Sequence, residues 1–401
     1  MTLTDLVFDP FSAEFFHDPY PMYRRLRDEA PVYYSEKYDF YALSRHADVA
    51  RAFKDFETYS SARGVTLEEI HSGEVAHGQS MIWMDPPDHR RMRGLVNKVF
   101  TPRAIQRQES TVADRLAHYL SKVDPSGFDV VADVAALFPV EVITIMLGVP
   151  ERDRQSVRLL QDIGLKRTPG EMGASQESTE AMTKIGMLYY ELIQQRRAEP
   201  RDDMISALIA AGVDRGDGTR TGLDDIEIAG FCILLGGAGA ETVVKLLGSA
   251  MVLFSRHREQ WTQLREDRSK IPAAVEEILR YDGPVQYDCR YTMKDVRLHE
   301  TTIPAGSAVM LLGASANRDE RAFTDADVFD INRDRTEAQN LGFGYGIHSC
   351  LGAALARMES RLALERLLDF MPEYEVQYEG LRRTAMTSVN GYKNVPVRVR
   401  Q

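Results

Sequence analysis

The stretch GFGYGIHSCLGAAL, residues 342–355, sets Gly342, Gly344 and Gly346 ahead of Cys350 and leads straight into an apolar, helix-like run. A hairpin needs only one or two glycines, and a phosphate-binding loop has no use for the thiol. Glycines let a backbone turn tightly and come close to a flat ligand. The run LGAALARMESRLALERLL predicts a helix starting at the cysteine. A thiol there feels the positive end of the helix dipole, which favours thiolate.

The rest of the chain bounds the setting. It has 401 residues, 44% of them hydrophobic, and a formal net charge of −11. That apolar share supplies a large core, and the negative balance argues against nucleic acid as a partner. Cys232, Cys289 and Cys350 are far apart with no C-x-x-C, which argues for a reducing compartment and no disulfide framework. The N-terminal residues show no basic segment followed by an apolar run, so no signal peptide is expected. The most apolar stretch, residues 231–254, is interrupted by Glu241 and Lys245, which argues against a membrane span. A soluble cytoplasmic protein is expected.

Periodicity predicts helices over 89–118 (broken near Pro102), 128–148, 151–165, 180–197, 202–212, 271–281 and 351–370, with a long apolar helix opened by Asp224. Strands are expected at 31–44, within 285–312 and in the tail VPVRVR. Residues 166–179, rich in Gly, Ser and Thr, read as a mobile connection, and 214–222 as a turn. Without repeats or a linker, the expectation is one unit over 1–401, mainly α with small β-sheets.

Cys350 is then the decisive residue. A lone buried cysteine is ordinarily a small core hydrophobe, and Cys232 and Cys289 take that reading. A thiolate presented by a loop is instead a soft metal ligand. No His or Cys partner lies at zinc spacing, and one sulfur does not hold a bare metal. A haem brings four nitrogens of its own, so one thiolate suffices. Phe343, Gly344, Gly346, His348, Cys350 and Gly352 fit F-G-x-G-x-H-x-C-x-G, which resembles the haem-thiolate loop of the cytochrome P-450 monooxygenases. The resemblance implies that fold, haem b as cofactor, Cys350 as axial ligand to its iron, and Phe343 and Gly352 as neighbours of the haem.

Further stations of that family follow in order. Glu277 and Arg280 share one helical face. Such a pair is ordinarily solvated, but the resemblance joins it structurally to Arg333 in VFDINR. His89 and Arg93, four residues apart in DPPDHRRMR, read alone as a surface stripe. The resemblance makes them haem-propionate contacts together with Arg290 and His348, and buried carboxylates need such partners. GGAGAET, residues 236–242, could be a nucleotide-binding glycine turn, but no strand with a ribose-binding acid follows. It resembles the family's A-G-x-E-T. Gly239 would then lie against haem, with Gly237 and Ala238 leaving room for dioxygen and substrate. Thr242 would organise proton delivery, with Glu241 in the relay.

The implied activity is insertion of one oxygen atom of dioxygen into an apolar organic small molecule, by hydroxylation or epoxidation. A haem-binding sensor or carrier without turnover and a nucleotide-dependent dehydrogenase remain as alternatives. No flavin or iron–sulfur motif is present, so electrons would come from a ferredoxin and its NAD(P)H-dependent reductase. Expected pocket walls are the 60–84 loop, the 166–185 segment, the glycine stretch, residues 285–289 and the turn at 386–392, with Met81, Ile82, Val285, Met386 and Val389 apolar and Gln286, Tyr287, Thr387 and Ser388 as polar contacts. The run 89–107 carries Arg90, Arg91, Arg93, Lys98, Arg103 and Arg107 without an acid, a positive patch suited to an acidic ferredoxin.

Overall fold

The computed structural model describes residues 6–73, 80–214 and 220–400. Its largest sheet has five strands. Val32–Ser35 pairs antiparallel with Phe40–Leu43, which runs parallel to Ala308–Leu311. Asp288–Thr292 follows antiparallel, and Tyr59–Ser60 closes the far edge. Arg290 lies opposite Val309 in this sheet. Smaller sheets lie elsewhere, and helices make up most of the remainder.

The helix Asp225–Arg256 is the axis of the fold. It starts at a capping box in which Asp224 and Glu227 satisfy each other's backbone N–H groups. It packs against Phe138–Leu147, Gln176–Ala198, Glu151–Leu165 and Ala353–Phe370, and the largest apolar cluster forms between them. Val130–Leu147 and Asp225–Arg256 are apolar enough by length and composition to cross a membrane, but their most apolar windows are 72% and 61% buried inside the protein. Core helices behave in this way.

Glu151–Leu165, Ile271–Asp282 and Ala353–Phe370 lie close to their predicted spans. The break near Pro102 arises because Thr101 caps a new helix, Pro102–Gln106, with the proline at its first position. Residues 128–148 depart from the expected single helix. Phe128–Asp129 is a strand paired with Pro396–Val399, Val130–Ala135 is a π-helix, and only Phe138–Leu147 is α. The Asp129 carboxylate accepts the N–H groups of Val131, Ala132 and Val395, a tertiary tie that no local pattern reveals.

The connection at 166–179, expected to be mobile, is tied down. Arg167 donates its N–H to the Ala385 carbonyl at 2.9 Å, and Gly170 donates to the Phe11 carbonyl at 2.6 Å. The Arg167 guanidinium also reaches Glu68 at 2.9 Å. The expected turn at 214–222 is flanked by the paired strands Gly212–Asp214 and Arg220–Gly222; residues 215–219 of it lie outside the described residues, as do 74–79 of the expected 60–84 pocket wall.

Candidate active site

The loop before Cys350 is held by its neighbours. The Asn317 side chain accepts the Leu341 N–H, and that of Asn340 accepts the Gly342 N–H. Cys350 donates its own N–H back to the Phe343 carbonyl at 2.8 Å. Gly344 and Gly346 have φ of +66° and +74°, a region that costs other residues energy. At Gly346 a Cβ would also run into the Phe53 carbonyl. This glycine therefore serves a close approach to the protein's own backbone rather than to a ligand.

The following helix begins at Ala353, not at the cysteine. The N–H groups of Gly352 and Ala353 nevertheless point at the Cys350 sulfur. Cys350 is accessible on its open side, while the packing around the rest of it raises the thiol. The two N–H groups and the Arg93 and Arg357 guanidiniums oppose that rise without cancelling it. The helix terminus alone does not make the thiolate. Arg357, not anticipated from sequence, stacks over the Phe343 ring at 4.6 Å.

A basic cluster adjoins this loop. Arg93 donates to the Ser349 carbonyl at 2.7 Å. The His89 and His348 rings lie 4.3 Å apart, and His348 Nε2 is 3.0 Å from the Met84 carbonyl. Burial, then the Arg93 charge, lowers His89 to about 4. Burial, then Arg290 and His89, lowers His348 to about 3. Arg290 is buried, and its guanidinium meets the Cys289 carbonyl. His89 Nε2 is buried without a hydrogen-bond partner among the described residues.

The glycine run sits inside one unbroken helix, not in the strand–turn–helix that a nucleotide-binding reading requires. Its glycines make room mainly for protein. A Cβ on Gly239 would lie 3.1 Å from Ile143, and one on Gly237 3.1 Å from Gln161. On their Cβ sides Gly239 and Gly237 therefore serve close helix packing, and both remain half-exposed. Ala238 is exposed in the midst of this helix, and the Thr242 hydroxyl donates to the Ala238 carbonyl at 3.0 Å.

The Cytochrome P-450 family model matches residues 13–381. The chain belongs to the cytochrome P-450 family. It is 41% identical to cytochrome P-450 123 of Mycobacterium tuberculosis over 397 residues, covering 98% of this chain and 97% of that one. It is 36% identical to the vitamin D(3) 25-hydroxylase of Pseudonocardia autotrophica, covering 97% and 96%. Among solved structures, CYP109E1 from Bacillus megaterium in complex with testosterone superposes with a TM-score of 0.87 at 31% identity, covering 97% and 99%.

Cytochrome P-450 proteins bind haem b and take dioxygen as co-substrate, and this protein is a monooxygenase of that family. The residues present suit the group. An accessible thiol faces two inward N–H donors, and four basic side chains gather beside it, one with an orphaned nitrogen. Desolvated donors of this kind fit carboxylates.

Elsewhere in this P-450, Glu277, Arg280 and Arg333 come together. Arg280 meets Glu277 twice at 2.8 Å and Arg333 meets it at 3.3 Å, while both arginines also bind carbonyls of the 324–328 segment. Glu241 is less simply placed than an acid–alcohol pair implies. It is buried 2.9 Å from Lys245, with the Asp162 carboxyl facing it. Lys245 was legible as an i+4 neighbour; Asp162, on another helix, was not.

The expected pocket walls separate into two groups. Val285 bridges Val389, Met386 bridges Lys166, and the Thr387 N–H reaches the Leu165 carbonyl at 3.4 Å. Met81 is buried in the main core and Ile82 is half-buried. Gln286 and Tyr287 need correction. The Gln286 amide is spent on Tyr23 and the Gly283 carbonyl, and the Tyr287 ring packs against Phe15. Both side chains lie in the interior, just ahead of the strand Asp288–Thr292.

Proposed function

We propose that this monooxygenase hydroxylates or epoxidises an apolar, multi-ring or long-chain small molecule, using electrons from a ferredoxin and its NAD(P)H-dependent reductase. Cys350 with its two inward N–H groups carries the reading: it is the accessible sulfur among the cysteines, Cys232 and Cys289 being buried. Haem bound there supplies the chemistry that activates dioxygen. His89, Arg93, Arg290 and His348 would hold its propionates. Thr242 would keep a hydroxyl proton in reach of the reacting oxygen, and Glu241 would resupply it.

The apolar character of Val285, Val389, Met386 and Ile82 supports the substrate class. So do a relative named for vitamin D(3) hydroxylation and solved neighbours holding testosterone and corticosterone. Thr387 Oγ1 is buried without a partner among the described residues, which supports a polar contact to one substrate oxygen. The sparse cysteines support a cytoplasmic setting.

The test is spectroscopic. The reduced, carbon-monoxide-bound protein is expected to show the red-shifted Soret band of thiolate ligation, and Cys350→Ala to lose it. A thiolate-type band surviving in the variant would refute the axial assignment. Titrating a compound library for the low-to-high-spin shift then tests the substrate class.

A further inference from the structure

Between the helices Glu151–Leu165 and Asp225–Arg256 lies a polar strip, buried at Glu241 and Lys245 and reaching solvent at Asp162, whose side chain is 39% exposed. Asp162 faces Glu241 across the contact between these two helices. Arg158 donates to Asp162 at 3.0 Å, and Lys245 stands 2.9 Å from Glu241. Beside them Gln161 is fully buried, with neither amide atom partnered among the described residues, and the Tyr189 hydroxyl is likewise alone. Both press on the long helix at Gly236 and Gly237. Such groups are costly to bury, and two facing carboxyls do not both ionise readily in a low dielectric.

We infer that Asp162 is a positioning residue for proton delivery: it holds a proton against Glu241 and passes it to that carboxylate, feeding the Glu241–Thr242 pair from the interface of the two helices. The inference rests on the proposed relay role of that pair. In the step, the Asp162 O–H bond breaks and a Glu241 O–H bond forms. Asp162 is then reprotonated from solvent through a water that gives up one proton and takes another from bulk, a water that the unpaired Gln161 amide and Tyr189 hydroxyl are suited to hold.

The electrostatics agree with one shared proton. Burial, then Glu241, raises Asp162 to about 7. Burial alone would raise Glu241, but Lys245, Asp162 and Arg158 together hold it below its ordinary range. The charged groups acting on Asp162 are Glu241 and Lys245 from the long helix and Arg158 from its own. On Phe138–Leu147 the charged side chain is Glu141, which is occupied by Arg115, Tyr119 and Gln155. On Gln176–Ala198 Tyr189 is buried nearby, while Glu177, Glu180 and Lys184 are exposed.

Two measurements on the haem-loaded protein test this. The infrared difference spectrum across neutral pH should show a protonated-carboxyl band that disappears as pH rises and is missing in Asp162→Asn. Substrate-free dioxygen consumption, driven by NAD(P)H with a surrogate ferredoxin and reductase, should fall as pH rises through neutrality. In Asp162→Asn it should be roughly tenfold or more lower and insensitive to pH over that range, and Asp162→Glu should restore the limb. Arg158→Gln, which keeps both carboxyls, should move band and limb to higher pH. The first electron transfer and the carbon monoxide spectrum should not change. A wild-type pH profile in Asp162→Asn, or a band that survives in it, would overturn the inference. Loss of the thiolate spectrum in the unaltered protein would instead refute the haem reading. Unchanged behaviour of Glu241→Gln and Thr242→Ala, with the infrared band present, would refute the relay reading.

Discussion

Arg93 donates to the carbonyl of Ser349 at 2.7 Å, which ties the helix Asp88–Val99 to the residue before Cys350. One guanidinium therefore braces the thiol-bearing loop and stands in the basic cluster. Its pKa is lowered, chiefly by burial, and the Cys350 charge opposes that shift. Removing it should loosen both. For Arg93→Ala the expected loss is roughly 1–2 kcal/mol, a charged hydrogen bond discounted for partial exposure. That corresponds to haem leaving about tenfold faster, read by transfer to apomyoglobin, and Arg93→Lys should lie between. A variant that releases haem at the wild-type rate would remove Arg93 from the haem site.

Gly346 and Gly344 both have positive φ, but only Gly346 faces a backbone carbonyl where its Cβ would stand. Gly344→Ala should cost about 1–2 kcal/mol through backbone strain alone. Gly346→Ala should cost more, because the Phe53 carbonyl belongs to backbone and has little freedom to yield. Urea unfolding of the two variants ranks them, and equal costs would show that the close approach carries no weight.

Thr242 bonds back to the Ala238 carbonyl as any mid-helix threonine can. What distinguishes it is the exposed Ala238 one turn earlier and Glu241 beside it. Thr242→Ala should keep haem binding and ligand-induced spin shifts, yet divert reducing equivalents to peroxide. Product formed per NAD(P)H consumed, with peroxide assayed alongside, measures this. Unchanged coupling would count against a role in proton delivery.

The positive run at 89–107 is less uniform in the structure than its composition implies. Arg91 is paired with Asp88 at 2.6 Å and Arg93 turns to Ser349. The Lys98 side chain lies outside the described residues. Arg90, Arg103 and Arg107 are exposed. Reduction by an acidic ferredoxin should slow as salt rises, since the Debye length is only about 8 Å at physiological ionic strength. Charge reversal at Arg103 or Arg107 should slow it further without altering ligand-induced spin shifts. Stopped-flow rates indifferent to salt and to both reversals would place the donor elsewhere.

The identity of the cofactor site was legible in the chain because loop chemistry is local. Glycines at set intervals, a histidine and a cysteine within a dozen residues carry the resemblance to the cytochrome P-450 haem-thiolate loop, and that resemblance points to Cys350. The same holds for the capped start of Asp225–Arg256 and for helices such as Glu151–Leu165, where apolar periodicity and N-cap chemistry act over a few turns. Tertiary structure alone decided what stands beside three of the glycines. Gly239 meets Ile143, Gly237 meets Gln161 and Gly346 meets Phe53, each across long sequence separations. It also turned Gln286 inward and gave Glu241 a carboxyl partner. A charged side chain's state depends on burial and on neighbours brought from other elements, and no spacing within one helix records that Asp162 would stand against Glu241.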